Sequence, residues 1–379
     1  MKKKKIYLDN SASTKVDEKV LKAMIPYFSE KYANASSKHE AGQQIREVVE
    51  NSRKIISKTI NAKPNEIIFT SGGTESNNFA LKGLFFYNKQ NNSGKNHIIT
   101  TKIEHASILE TCKWLEKQGA KITYLDVDEQ GFIDLEQFKK SITEKTFLVS
   151  IIHGNNEIGT IQDLEKIGKI CKEKKVLFHT DACQSFTKIP IDVKKLSLDL
   201  ISLNSHKIHG PKGVGALYIK ESVKIIPLIH GGGHEFQMRS GTENVSGIIG
   251  FAEAVKIADK KDVIKMKKLQ NKLIEEILRI PNTKLNGSKE KRLCNNVNVS
   301  FKDIDGETIA SYLEKEKIYI STGSACQSHE SSHVLKAIGL KENEINGSIR
   351  ISLSKYTTEK DIDYFLEQIK KIVEKLRKR

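Results

Sequence analysis

The sequence lacks any run of ~18 uninterrupted apolar residues, so no membrane-spanning helix is expected. It also lacks C-x-x-C pairs, and none of its five cysteines (Cys112, Cys171, Cys183, Cys294 and Cys326) stands at zinc-ligand spacing near histidines. A structural metal is therefore not expected. An odd, sparse set of cysteines without a secretion signal suggests free thiols in a reducing compartment. The opening MKKKK carries the charge of a signal-peptide start, but IYLDNSAS follows where an apolar stretch would be needed. A cytoplasmic protein is expected. There are no internal repeats and no low-complexity linker, and neither a Walker loop nor a dinucleotide fingerprint occurs.

What is present is a chain of 379 residues with a formal charge of +16. That length suggests two domains. The lysines are spread along the whole chain, mostly on the outer faces of predicted helices, and are not gathered on one stripe with aromatics between them. Such a pattern reads as a lysine-rich solvated surface, so direct nucleic-acid binding is not expected. Attraction of an acidic protein or of tRNA stays open.

From about residue 66 to 220, β-rich runs alternate with amphipathic stretches. Strands are expected at 67–70, 97–101, 121–125, 147–152, 176–179, 200–203 and 216–219, with helices such as 75–87, 107–118 and 163–174 between them. This alternation predicts an α/β fold with a mostly parallel sheet covered by helices on both faces. Ligands in such sheets bind outside the carboxyl ends of the strands. Beyond about 255 the pattern changes. A long helix with Ile264, Leu269, Leu273 and Ile277 on one face is expected to end at Pro281. Strand-like runs at 296–301 and 318–321, a helix over 307–316 and a final helix with Ile362, Phe365, Leu366, Ile369, Val373 and Leu376 at helical spacing complete a smaller α+β domain. The expected division is 16–255 and 256–379, with segment 1–15 joining the two.

Four stretches carry chemistry. Thr70-Ser71-Gly72-Gly73-Thr74-Glu75 lies between an apolar strand and a helix. Such a turn can bind phosphate through backbone N–H groups and the helix N-terminus, or it can be a plain helix cap. Asp181, in His179-Thr180-Asp181-Ala182-Cys183-Gln184, ends an apolar run. A carboxylate there either caps the sheet or pairs with a protonated ring nitrogen, the partner that pyridoxal phosphate needs. Lys207, in Asn204-Ser205-His206-Lys207, follows a strand and precedes a Gly/Pro-rich turn. It is either solvated or, with a lowered pKa, a Schiff-base lysine. Phosphate turn, acid and lysine, each at a strand end of one sheet, favour the second reading. Cys326, in Ser321-Thr322-Gly323-Ser324-Ala325-Cys326, sits among small polar residues that cannot bury it, which favours a nucleophile over a packing residue. The other four cysteines read as small core residues, and His179, His209 and His234 as structural. The run Gly231-Gly232-Gly233 is a hinge or a tight turn.

The strings TSGGTESNN, IEHASI, HGNNEIGTIQD, HTDACQ, SHKIHGPKGVGALY, GGGHEFQMRSGTENV and STGSAC resemble the NifS/IscS-type cysteine desulfurases, over nearly the whole chain and in the family's order. The resemblance implies the pyridoxal-phosphate-dependent, aspartate-aminotransferase-like fold of type I. It implies removal of sulfur from L-cysteine to give L-alanine and a persulfide on Cys326. Lys207 would hold the cofactor covalently and shuttle the α-proton. Asp181 would pair with the ring nitrogen, Gln184 with the phenolic oxygen, and His105 would stack on the ring and handle protons. Gly73, Thr74 and His206 would bind the phosphate, with Thr242 reaching in from a second subunit of a homodimer, and Asn156, Asn204 and Ser205 would also contact the cofactor. Asn156 and Arg350 would grip the substrate carboxylate, which a guanidinium fits in bidentate fashion. No resident metal is implied; Cys326 would at most ligate an iron–sulfur cluster in passing within a scaffold complex. The sulfur would go to an iron–sulfur scaffold protein or a tRNA thiolase.

The family usually has Ser where this chain has Asn204. The run Asn34-Ala35-Ser36-Ser37 lacks the usual Pro, and the segment from Cys326 to Val334 is slightly shorter than in many members, although unlike the branch with an RxGHHC motif. The alternatives are a selenocysteine lyase or an aminotransferase on the same scaffold, and a non-catalytic binding protein that has kept the fold.

Overall fold

The structure, a computed structural model, describes residues 4–322 and 331–378. Its strands are β1 (Ile6–Tyr7), β2 (Ile67–Thr70), β3 (His97–Thr101), β4 (Lys121–Leu125), β5 (Thr146–Ser150), β6 (Leu177–Asp181), β7 (Leu200–Asn204), β8 (Gly215–Ile219), β9 (Thr283–Leu285), β10 (Asn296–Phe301), β11 (Ile318–Tyr319), β12 (Ser321–Thr322) and β13 (Ser348–Ser352).

Seven of these form one sheet in the order β2-β8-β7-β6-β5-β3-β4. Only β8 runs against its neighbours; every other pairing is parallel. Every residue of β2, β3, β5, β7 and β8 is buried. That is the demand of a sheet covered on both faces, and it explains runs such as Ile67-Ile68-Phe69 and Leu200-Ile201-Ser202-Leu203 in place of strict alternation. One face packs on a core containing Ile56, Phe178, Phe186 and Phe251, and the other on a core containing Phe79, Leu84, Ile108 and Leu115. The strands and helices expected over 67–219 all form, three strands with the expected ends and the others displaced by at most three residues.

A third core gathers Leu273, Ile277, Val299, Phe301, Ile351 and Phe365 with Ile6 and Leu8 from the N-terminal segment. It lies against an antiparallel sheet of order β12-β13-β10-β9. We propose the domain division 16–255 and 256–379 on this separation of cores, with segment 1–15 as the joint: Ile6 and Leu8 pack in the smaller unit, while Thr14 and Asp17 hydrogen-bond the His206–His209 stretch of the larger.

Two expectations are corrected here. The run 318–321 is not one strand. It changes partner at Ile320, so that β11 pairs in parallel with β1 while β12 pairs antiparallel with β13. In the helix Lys260–Leu278, Ile264 is 70% exposed, and the buried stripe is Met266, Leu269, Gln270, Leu273, Ile274 and Ile277. Among the described residues no helix is long and apolar enough to cross a membrane.

Candidate active site

A cleft of about 360 Å³ opens at the carboxyl edge of the seven-stranded sheet. Ten of the expected site residues line it: Gly73, Thr74, His105, Asn156, Asp181, Gln184, Asn204, His206, Lys207 and Arg350. They come from five different strand ends and from β13, which explains why residues nearly 280 positions apart meet.

β2 ends in the turn Ser71-Gly72-Gly73, which starts the helix Gly73–Gln90. Gly72 adopts φ 154° and ψ −177°, a conformation essentially reserved for glycine. Among the described residues no side chain caps this helix, so its first N–H groups stay available to an anion. A Cβ on Gly73 would stand 2.5 Å from the Cys183 sulfur, so the wall of the cleft leaves no room for a side chain there.

Asp181 closes β6. One of its oxygens accepts the Asn77 side-chain amide at 2.8 Å and the other accepts the Cys183 backbone N–H at 2.9 Å. Asn77 also donates to the Ser107 hydroxyl at 2.8 Å, and Ser107 meets Nδ1 of His105 through its hydroxyl at 2.9 Å and its N–H at 3.1 Å. Because that N–H donates to Nδ1, a neutral His105 carries its proton on Nε2. His105 thereby caps the helix Ala106–Glu116.

Lys207 follows β7. Its amine donates to the carbonyl oxygens of Ser11 and of Ala12, the latter at 2.7 Å. Burial, then the nearby Arg350 guanidinium, lower its pKa to about 8. Behind it, the Lys188 amine donates to the carbonyls of Gln184 at 2.9 Å and of Lys207 at 3.2 Å, and burial brings Lys188 too down to about 8. Gln184 donates to the Ser11 carbonyl at 2.9 Å. His206 is held at about 4 by burial and by the charges of Lys207 and Lys212, so it is a neutral donor. Arg350, buried on β13, donates to Asp9 at 2.8 Å and to the Asn156 carbonyl at 3.3 Å, and its Nε has no partner among the described residues.

Two expected residues lie elsewhere, and a third falls outside the described residues. Ser205 is wholly buried beneath Gly210, whose Cβ would fall 1.9 Å from its hydroxyl, and Ser205 does not line the cleft. Thr242 is exposed and outside the cleft of its own chain. Cys326 lies outside the described residues. The chain re-enters the described structure at 331, where Ser332 donates to Glu157 and the His333 ring meets the Glu104 carbonyl at 2.9 Å. Val334 and Leu335 then pack with Ile103, Ile152 and Ile158 of the sheet edge.

Sequence reasoning placed none of Ser11, Ala12, Asn77, Ser107 or Cys183 in the site, and read Cys183 as a small core residue, yet all five line the cleft. For Asn77 a signal existed: it stands one helical turn beyond Gly73, and so shares a face with the turn. The Ser11 and Ala12 carbonyls left no such trace, because a backbone acceptor can belong to any residue type.

The aminotransferase class-V profile matches residues 6–365. The chain belongs to the class-V aminotransferases. Among its relatives, a cysteine desulfurase IscS of Methanosarcina thermophila is 48% identical over 99% of this chain and 93% of its own length. One of Clostridium botulinum is also 48% identical, over 99% and 96%. A solved NifS-like protein superposes with a TM-score of 0.92 at 42% identity, covering 98% of this chain and 100% of its own. A second solved structure, SspA in complex with cysteine, gives 0.84 at 39% identity, covering 94% and 100%. The type I fold expected from the sequence is the fold of this class-V chain, and its cofactor is pyridoxal 5'-phosphate.

The cleft fits that cofactor on its own chemistry. Its volume lies in the range of small-molecule sites. It offers an uncapped helix end to a phosphate, a carboxylate fixed by two donors, and a lysine near neutrality. Among the described residues the buried Asn204 side-chain oxygen has no partner, and the side chain lies beside the Gly72–Gly73 turn. Its amide supplies both donor and acceptor where the family usually has a hydroxyl.

Proposed function

We propose that this class-V aminotransferase is a cysteine desulfurase that takes sulfur from L-cysteine, releases L-alanine and leaves a persulfide on Cys326. What carries this reading is one cleft in which Lys207, Asp181, His105 and Arg350 meet. Pyridoxal phosphate, when bound, supplies the electron sink that loosens bonds to the substrate Cα and makes departure of the γ-sulfur feasible.

The chain's own residues do the rest. Lys207 would attach the cofactor and then move the α-proton. At a pKa of about 8 its amine exchanges protons easily near neutral pH, as a general base requires. Asp181, kept in place by Asn77 and Cys183, would accept a hydrogen bond from the protonated ring nitrogen and hold that proton on the ring. His105, fixed through Nδ1, would present its Nε2–H to the cleft as a stacking surface and proton donor. The Gly73–Thr74 amides, His206 and Asn204 would take the phosphate, and Gln184 the phenolic oxygen. Arg350, with Asn156 beside it, would take the substrate carboxylate by exchanging its Asp9 contact for a bidentate pair. The thiolate of Cys326 is the competent nucleophile for the sulfur.

A persulfide is useful only when handed on. We therefore propose a cytoplasmic homodimer that delivers sulfur to an iron–sulfur scaffold protein or a tRNA thiolase, with Thr242 completing the neighbour's site. The test combines two measurements on purified protein. Borohydride trapping followed by peptide mapping is expected to place the cofactor on Lys207. With dithiothreitol present to reduce the persulfide, cysteine is expected to yield alanine and sulfide in the wild type, and the Cys326→Ala variant is expected to lose most sulfide output. Label on any other lysine, or undiminished sulfide from Cys326→Ala, overturns the assignment.

A further inference from the structure

Three consecutive non-glycine residues, Glu235, Phe236 and Gln237, hold left-handed φ values of 50°, 57° and 66°. Crowding of Cβ against the carbonyl makes each unfavourable and normally confines such residues to single positions. A run of three persists only where the surroundings over-determine it.

The fixing contacts are specific. The buried Glu235 carboxylate takes the Arg53 guanidinium in bidentate fashion at 2.7 and 2.8 Å, and also accepts the Phe69 N–H at 2.7 Å. Arg53 donates to the Ile67 carbonyl at 2.6 Å and lies between the rings of Phe69 and Phe236, 4.6 and 4.9 Å from their centroids. Ile67 and Phe69 belong to β2, which runs directly into Ser71-Gly72-Gly73. Two residues past Gln237, Arg239 grips Glu75 through both carboxylate oxygens at 3.0 and 3.3 Å, and Glu75 accepts the Ser71 N–H at 2.8 Å. The turn is thus held through the strand before it and through the helix after it, by one short segment some 160 residues away in sequence.

We propose that this left-handed segment is a brace for the phosphate turn, with Glu235 and Arg239 as positioning residues that keep its N–H groups convergent. The inference rests on the reading above that the turn binds the cofactor's phosphate. A site made of backbone amides has no side chain of its own to correct its geometry, so convergence must be imposed from outside. A purely structural role would lower stability without distinguishing ligands. A brace acts on the phosphate alone.

Cofactor-free wild type and Arg239→Gln are titrated with pyridoxal phosphate and with pyridoxal, which shares the ring and aldehyde and lacks the phosphate; binding is read from the visible band. Arg239 is partly exposed, so its replacement leaves the core intact. The dissociation constant for pyridoxal phosphate is expected to rise about tenfold, the scale of weakening one charge-assisted hydrogen bond. That for pyridoxal is expected to stay unchanged. Glu235→Gln is expected to act in the same direction, and Arg239→Lys to lie between. Equal weakening of both ligands, or no change in either, overturns the brace. The underlying reading is checked separately in the wild type: if pyridoxal binds there as tightly as pyridoxal phosphate, the turn is not a phosphate site.

Discussion

Glu104 stands immediately before His105, fully buried, with one carboxyl oxygen accepting from Thr101 and from the Ile152 N–H at 2.8 and 2.9 Å and the other without a partner among the described residues. Burial, opposed by those two donors and reinforced by Asp181, pushes its pKa up to about 8. The folded state therefore keeps a proton that the unfolded chain releases above its ordinary value of 4.5. The stability this proton contributes is complete below that value and is lost as pH rises toward 8. In urea unfolding between pH 5 and 8, the advantage of wild type over Glu104→Gln is expected to shrink with rising pH, by up to about 1.4 kcal/mol per pH unit. A difference that does not move with pH would show that Glu104 titrates as an ordinary carboxylate. At this scale the motif IEHASI drew attention to His105. Glu104 drew none, since a carboxylate beside a histidine in sequence gives no sign of being the buried one. The same holds for Ser107, whose link from Asn77 to His105 exists only once two helices meet.

Secondary elements were legible where their periodicity was set by a single partner. The strands of the large sheet are hydrophobic on both faces, and their apolar runs are bounded by polar turns, so both type and position could be read. The helix Lys260–Leu278 was harder. Its buried stripe advances from Met266 in steps of three and four, while Ile264 lies two residues before Met266, some 200° away around the axis. An isoleucine in a lysine-rich stretch counts toward a hydrophobic face without belonging to it. Replacing Leu273, fully buried, by Ala is expected to cost about 2–5 kcal/mol, whereas Ile264→Lys should stay within about 0.5 kcal/mol of wild type. Thermal or urea unfolding of the two variants decides the assignment, and a large loss for Ile264→Lys would mean that a partner covers this face. The run 318–321 failed for the opposite reason. One apolar run serves two sheets, and no local pattern marks the residue at which a strand changes partner.

At the scale of the molecule, the positions of Lys207 and Thr242 disagree if each chain must build its site alone. Lys207 lines the cleft, while Thr242 is exposed outside it, although both belong to the motif set that the sequence ties to one cofactor. A second copy resolves this when the surface that carries Thr242 faces the neighbour's cleft, which a two-fold symmetric pair does for both sites at once. The consequence is quantitative. Lys207→Ala and Thr242→Ala chains are each expected to be inactive or impaired alone, but unfolded together and refolded they are expected to pair at random, with half of the dimers mixed. In a mixed dimer one site has neither group, while the other combines Lys207 from one chain with Thr242 from the other. About a quarter of all sites should therefore regain wild-type cofactor binding and alanine production. A mixture no more active than the average of its parents would mean that each cleft is complete within one chain, and Thr242 would then be an ordinary surface residue.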